Sequence, residues 1–470
     1  MKILLPTGRV TEQIVRDAAR DCDADVVVTG ELASFLSPSR LGEIISSGDY
    51  DLVIVSGMCT ASFRDVEERF GVPIRLGPRH AADLSLILPL IGRIELSRDL
   101  PADELLAGRR KEEAFAFINR NEDESSAVFQ INRIKIGGTS RMKVLAEIMD
   151  AHHHPDIRKI AERYFREGAD IVDLGFGFDA TPDDVRAVFD TLRDLPGPLA
   201  VDTQDPTLIS AALPRADLIL SLQEENIGET ASGIVSAGSA VVVIPGNNGL
   251  VQNISLAEEA GIRRIIADPV LHPGGSGLVQ SLCRFRDLPV PLFFGAGNVM
   301  ELIDADSPGM CALLAVMAYE TGASVIFCSE HSDKTRGCIS EMRRATEMMV
   351  LLKNRPYPKD LGIDLLVLKE KRRRREPPVT FSSVREAEKM PDMITYDPCG
   401  NFRIGIEDGH VVAERSGLAI RGERWQDIFY TILKEEGVSL LDHAGYLGAE
   451  LFKAELALRY GRSFEQDGPF

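Results

Sequence analysis

The chain has 470 residues, 44% of them apolar, enough for roughly three domains with cores of their own. Its 53 Lys and Arg against 72 Asp and Glu leave a formal charge of −19, which argues against nucleic acid or anionic membrane as the main partner, since both need a positive face. The apolar start MKILLP is too short for a signal peptide, no run reaches the ~18 apolar residues of a membrane span, and the 7 cysteines form no CxxC pair, so the sequence implies a cytoplasmic protein with reduced thiols.

Residues 1–120 alternate short apolar runs (KILLP, ADVVVTG, DLVIVSG, VPIRLGP) with helical stretches over 10–21, 40–47 and 80–91. This rhythm predicts a small three-layer α/β domain on a parallel sheet. The turn Pro6-Thr7-Gly8-Arg9 could hold a phosphate at a helix N-terminus, but neither GxGxxG nor GxxxxGK[ST] is present, and an ordinary strand-to-helix turn accounts for it. The charged stretch from 93 to about 140, with RRKEEAF and NRNEDESSA, predicts one helix over 101–118 and a linker over 121–140.

From 141 to 355 eight apolar runs alternate with amphipathic ones, which predicts a closed (β/α)8 barrel. In order they are KVLAEIMDAHH, DIVDLGFGFDATP, LAVDTQDP, LILSLQEEN, AVVVIPGNNG, RIIADPV, PLFFGAGNV and SVIFCSEHSDK. Each closes on Asp, Asn, Glu, Gly or His, and barrel enzymes gather their active sites at the C-terminal ends of the strands.

Residues 356–470 change pattern. PYPKD reads as a turn and DLLVLKEKRRRRE as a strand or helix ending in the basic run Lys371 to Arg375, which either binds a polyanion or is simply solvated. NFRIGIEDGHVVAER predicts a β-hairpin on Asp408-Gly409, and two helices follow around WQDIFYTILKEEG and AGYLGAELFKAELALRYG. Together they make a small α+β domain.

Asp202 closes the third barrel strand and Asp268 the sixth, both after runs that should be buried, with Asn226 and Asn298 at the fourth and seventh. Carboxylates accept hydrogen bonds in fork geometry and Asn both donates and accepts, so the set suits a flat heterocycle with an amino-pyrimidinone edge. After the eighth strand, His331-Ser332-Asp333-Lys334-Thr335-Arg336-Gly337 opens a helix. Ser332, Lys334 and Arg336 could bind an anion there, or the loop is solvated with an ion pair to Asp333. Consecutive side chains of the triplet His152, His153 and His154 diverge, so one zinc cannot easily use all three; either one of them joins Asp150 in placing a Mg2+ or a substrate phosphate, or the triplet is a surface loop. The loop from His272 to Gly277 either closes over a ligand or is a flexible turn.

VDTQDP at the third strand, ADPV at the sixth, DLGFGFDATP at the second and the His331 end of the eighth resemble the pterin-binding barrels, dihydropteroate synthase and the methyltetrahydrofolate-dependent corrinoid methyltransferases. The three-domain layout more closely resembles the dihydropteroate synthase-related proteins of methanogens and other tetrahydromethanopterin users. The resemblance to pterin barrels covers about 140–354. It implies that Asp202 and Asp268 hold a reduced pterin, with Asn226 beside them and Gly295 keeping the floor open. Three strand ends depart from a synthase. The seventh reads Gly295-Ala296-Gly297-Asn298-Val299 in place of an Arg-Lys pair, the eighth Ser329-Glu330-His331 in place of Arg-x-His, and the first Met149-Asp150-Ala151-His152 in place of Asn-x-Thr-Pro.

What the resemblance implies divides three ways. One is a transferase of tetrahydromethanopterin or folate-like biosynthesis joining a pterin-CH2 diphosphate to an arylamine, as a homodimer, with His331, Lys334 and Arg336 at the leaving group. The GxxN of the seventh strand is methyltransferase-like, and under that alternative Asn298 polarises a methylated pterin and a separate corrinoid protein is the partner. The third is a pterin-binding protein without catalysis.

Overall fold

The apolar runs of the first 76 residues form a four-stranded parallel sheet of β1 (Ile3–Gly8), β2 (Ala24–Gly30), β3 (Leu52–Val55) and β4 (Ile74–Leu76), in the order β2-β1-β3-β4. The computed structural model describes residues 1–105, 107–213, 215–286, 288–355, 357–370, 381–389, 395–435 and 437–469. Helices Glu12–Ala18, Pro38–Ile45 and Arg64–Phe70 cover the sheet, the second started by Ser37, whose hydroxyl accepts from the Arg40 N–H with Pro38 in the first turn. The helix expected over 80–91 is instead a series of single turns, Ala81–Asp83, Leu84–Ile87 and Leu88–Leu90. Pro89 lacks the N–H that a continuous helix would need there.

Helical segments Ala102–Leu105 and Ala107–Glu124 follow. Residues 121–140, read above as a linker, hold the end of that helix and a hairpin of β5 (Phe129–Ile131) and β6 (Ile134–Ile136), turned at Asn132, which has φ 54°. Ile131 and Ile136 pack into one cluster with Leu145, Ile171, Leu218, Val242, Ile266 and Val325, so the hairpin plugs the bottom of the barrel. The segment is ordered because its alternate residues complete that core.

All eight expected barrel strands are present: β7 (Lys143–Ile148), β8 (Ile171–Gly175), β9 (Leu199–Asp202), β10 (Leu218–Leu222), β11 (Ala240–Val243), β12 (Ile265–Ala267), β13 (Leu292–Gly295) and β14 (Ala323–Ser329). They pair in parallel and close through β14 against β7, from Val325 opposite Lys143 to Ser329 opposite Glu147. The chain therefore contains a (β/α)8 barrel. Capping residues set the helices between strands: Thr181 and Asp184 cap each other reciprocally at Pro182–Leu192, and Asp205 accepts from the Thr207 N–H at Pro206–Ala212. In VDTQDP, then, the second Asp is a helix cap and the first is free for other work.

The N-terminal sheet and barrel together form one compact unit, Met1–Lys369, and Glu370–Phe470 forms a second. Buried Asp83 ties the parts of the first together, pairing with Arg110 at 2.9 Å and with Arg355 at 2.5 Å. In the second unit β15 (Arg403–Glu407), β16 (His410–Arg415) and β17 (Leu418–Gly422) make an antiparallel sheet against helices Trp425–Lys434 and Leu441–Arg459. The expected hairpin turns on Asp408-Gly409, both at positive φ. A second turn, on Ser416-Gly417, adds a third strand that the sequence reading did not separate. Residues 364–370 form neither helix nor strand, and the basic run Lys371 to Arg375 lies outside the described residues. Among the described residues no helix is long and apolar enough to cross a membrane.

Candidate functional site at the barrel mouth

Side chains alternate along a strand, so inward residues near the bottom predict the ones above them. Leu145, Ile171, Ala200 and Ile266 belong to the interior cluster. Two residues further on stand Glu147, Asp173, Asp202 and Asp268. Four strands thus carry four carboxyl groups to the same end of the barrel, and every one is held above its ordinary pKa. Asp173 is fully buried and raised well above the usual range, first by loss of water and then by Asp202 and Glu147. Burial, then Asp202, Asp150 and Glu301, push Glu147 up to about 7. Burial also pushes Asp268 up to about 7, against the Val270 N–H and with the help of Asp202. Asp202 is raised by burial and restrained by the Ser221 hydroxyl. Glu147, Asp202 and Asp268 each keep some exposed surface, so a ligand in the mouth can reach them.

The expected pair Asp202 and Asp268 is therefore brought together, close enough for one charge to raise the other's pKa. Local backbone holds both. The Ser221 hydroxyl, on a residue at φ 61° where the pairing of β10 with β11 slips, donates to Asp202 Oδ1 at 2.6 Å. The Val270 N–H donates to Asp268 Oδ1 at 2.8 Å from a β-branched residue at φ 63°, a conformation costing about 1–2 kcal/mol.

Asn226 is buried and spends its amide on backbone: Oδ1 accepts from the Gln223 N–H at 2.9 Å, and Nδ2 donates to Ser221 O at 3.2 Å and Gln204 O at 3.3 Å. It fixes the Ser221 turn that in turn holds Asp202, so in this structure it supports the site instead of lining it. Gly295 leaves room for Asn298: a Cβ there would lie 3.0 Å from Asn298 Nδ2. Asn298 is exposed, and its Nδ2 donates to Leu271 O at 3.2 Å.

The loop after the eighth strand is organised around carboxylates of the chain itself. Glu301 accepts from the Ser329, Ser332 and Thr335 hydroxyls at 3.0, 2.6 and 2.8 Å and from the His331 N–H at 3.1 Å. Lys334 pairs with Asp304 at 3.0 Å. At helix Cys338–Leu351 the Gly337 and Ile339 N–H groups donate to Glu330 Oε1, whose other oxygen holds Arg163 at 2.7 Å. At the helix end expected to receive an anion through Ser332, Lys334 and Arg336, Glu330 takes the Gly337 and Ile339 N–H groups, Glu301 the Ser332 hydroxyl and Asp304 the Lys334 ammonium. His331 and Arg336 are exposed.

Among the described residues two groups of side chains have the spacing of cation ligands. Oxygens of Glu147, Asp173 and Asp202 lie within 4.8 Å of one another, as do ligand atoms of His152, His153 and Asp179. Asp150 belongs to neither; it is exposed at φ 47° and its influence is the charge it adds near Glu147. Of the His triplet, His154 turns away, its Nε2 lying 3.0 Å from Met149 O, whereas His152 and His153 do not diverge as expected. The tight turn Ala151–His153 after Asp150 brings the His152 and His153 rings to 3.9 Å, both against Asp179 at 3.2 and 3.0 Å. In the loop after β12, His272 Nδ1 lies 3.3 Å from Ser276 O.

Glu147 and Asp173 were not singled out from the sequence. Each interrupts an apolar strand at the parity of its inward residues, and that was the available signal.

A family model described as PterinBD-DUF4346 matches residues 396–467. A protein of Methanocaldococcus jannaschii, itself described as uncharacterized, is 33% identical over 525 aligned positions that cover 99% of this chain and 98% of that one. Among solved structures, dihydropteroate synthase of Xanthomonas albilineans with 4-aminobenzoic acid is 20% identical, with a TM-score of 0.38, covering 48% of this chain and 95% of its own. The Yersinia pestis dihydropteroate synthase is 22% identical with a TM-score of 0.34, covering 45% of this chain and 92% of its own.

Proposed function

We propose, from the premise that the chain belongs to the dihydropteroate synthase-related family of pterin-binding proteins together with the Methanocaldococcus jannaschii protein, that it is a transferase acting on a reduced pterin. The reaction in this reading joins a pterin-CH2 diphosphate to an arylamine, in tetrahydromethanopterin or folate-like biosynthesis. The observation that carries it is the convergence of Asp202 and Asp268 at the mouth, Asp202 raised by burial and Asp268 pushed up to about 7. A carboxyl such as Asp268, which near neutral pH shares its time between neutral and charged forms, both donates and accepts, and this matches the mixed N–H, NH2 and C=O edge of a pterin. As the C–O bond to diphosphate breaks, the ring stabilises the methylene cation. The amine nitrogen, held against that carbon, forms the C–N bond and loses a proton to solvent or to a carboxylate of the mouth.

The carboxylates at the eighth-strand loop support a second reading. With Glu301 and Glu330 taking the donors there, and Lys334 on Asp304, a pterin that carries a methyl group and no diphosphate fits the mouth as well. Exposed Asn298 would then act on the methyl donor and a corrinoid protein would accept the group.

One experiment separates the two. The full chain is incubated with a pterin-CH2 diphosphate and either p-aminobenzoate or its ribosylated phosphate counterpart, and separately with a methylated tetrahydropterin and cob(I)alamin. Pyrophosphate release is the expected result, and methyl transfer to cobalt without it would select the second reading. Asp202→Asn or Asp268→Asn should weaken pterin binding, followed by ligand fluorescence, roughly 10-fold to 100-fold, the worth of one charge-assisted hydrogen bond. Unchanged affinity in both would remove the basis of either reading.

A further inference from the structure

Among the described residues of the mouth, one group of carboxyl groups has no basic side chain paired with it. Glu147, Asp173 and Asp202 come from three adjacent strands, β7, β8 and β9, and their carboxylate oxygens lie within 4.8 Å of one another. Asp173 is fully buried, and neither of its oxygens accepts a hydrogen bond; the Leu174 N–H is near but outside bonding geometry. A buried carboxylate without a partner is costly, and three together add mutual repulsion. The basic side chain on the same strand is no remedy. Lys143 lies four residues earlier, roughly 13 Å down the strand, and pairs with Glu122 at 2.9 Å.

We propose that Glu147, Asp173 and Asp202 bind one divalent cation of the Mg2+ or Mn2+ class at the floor of the barrel mouth. The donors are all carboxylate oxygens, the ligands preferred by hard cations. They stand on strands paired in register, Glu147 opposite Asp173 and Gly175 opposite Asp202, so the barrel itself fixes their spacing. Asp202 Oδ1 already takes the Ser221 hydroxyl, which orients that carboxylate as supporting hydrogen bonds orient metal ligands elsewhere. Three carboxylates leave coordination positions for water or for a substrate oxygen entering from the mouth, where Glu147 and Asp202 are reachable. A cation there would supply positive charge that the seventh- and eighth-strand ends lack. The group formed by His152, His153 and Asp179 is the weaker candidate, because its members already satisfy one another at 3.0 and 3.2 Å.

The proposal shares Asp202 with the pterin reading, and its test uses residues that belong to one site only. Mn2+ is titrated into the full-length chain and followed by electron paramagnetic resonance, with thermal melts in EDTA reporting the fold. The wild type is expected to bind one Mn2+ per chain, and Asp173→Asn and Glu147→Gln to weaken it at least 10-fold. Asp179→Asn and Asp268→Asn should leave it unchanged. In EDTA, Asp173→Asn should melt at or above the wild-type temperature, since it removes a buried carboxyl group that no hydrogen bond satisfies. A folded wild type that takes up no Mn2+, binding that survives both Asp173→Asn and Glu147→Gln, or binding lost in Asp179→Asn alone would overturn the assignment. Pterin binding measured in EDTA stands or falls with Asp268 whatever the cation does.

Discussion

Asp268 illustrates what a strand end can and cannot reveal. Its place after RIIA marks it as a carboxylate at the barrel lip, and Asp202 is legible in the same way; the pKa of Asp268 depends on neighbours that no local pattern shows. Burial and Asp202 hold it at about 7 against an ordinary 3.8, although the Val270 N–H opposes them. The folded state therefore keeps a proton that the unfolded state loses. Stability from this group is fully present below about pH 4 and is lost as the pH rises through about 7. Asp268→Asn removes that dependence. Relative to wild type the variant should gain stability as pH rises from 5 to 8, by at most about 1.4 kcal/mol per pH unit. Urea denaturation of both proteins across that range checks it, and a difference constant with pH would refute the raised pKa. Asn226 shows the opposite limit: its side-chain type suits a ligand, yet its amide serves the backbone of Gln223, Ser221 and Gln204. Only the turn geometry of the fourth strand end could have shown that.

At the scale of elements, the barrel was legible because each strand is buried on both faces and so reads as one continuous apolar run. The β5–β6 hairpin was not, since its strands have three residues each and its turn at Asn132-Arg133 lacks glycine. The eighth-strand loop misled for a different reason. Its cations and helix start have the composition of an anion site, and an internal anion, Glu330, occupies it. Glu330 is almost fully buried and serves two helix N–H groups and Arg163. Glu330→Ala should therefore cost about 2–3 kcal/mol in denaturant unfolding, by leaving buried donors unpaired. It should also open the helix end, so that sulfate raises the melting temperature of the variant and leaves that of the wild type in place. A variant as stable as wild type and indifferent to sulfate would mean that Glu330 is not what fills the end.

For the whole molecule, the sequence divides the chain by composition, while the structure groups it by contact. The N-terminal sheet reads as a separate domain, and its core clusters are its own. Yet Asp83 reaches Arg110 and also Arg355, which lies 272 positions further along the chain than Asp83, and the sheet and barrel belong to one compact unit ending at Lys369. Long-range ion pairs of this kind leave no local trace in a sequence, which is why composition alone misses them. Every carboxyl group of the mouth lies in that unit. The chain cut after Lys369 should then fold cooperatively and bind a pterin and Mn2+ within about 3-fold of the full chain, a difference under 1 kcal/mol. Fluorescence titration and the Mn2+ signal would measure both. If the fragment is folded and either affinity falls by 10-fold or more, residues of the Glu370–Phe470 unit take part in the site. The family match over 396–467 would then describe part of the binding machinery and not a separate module.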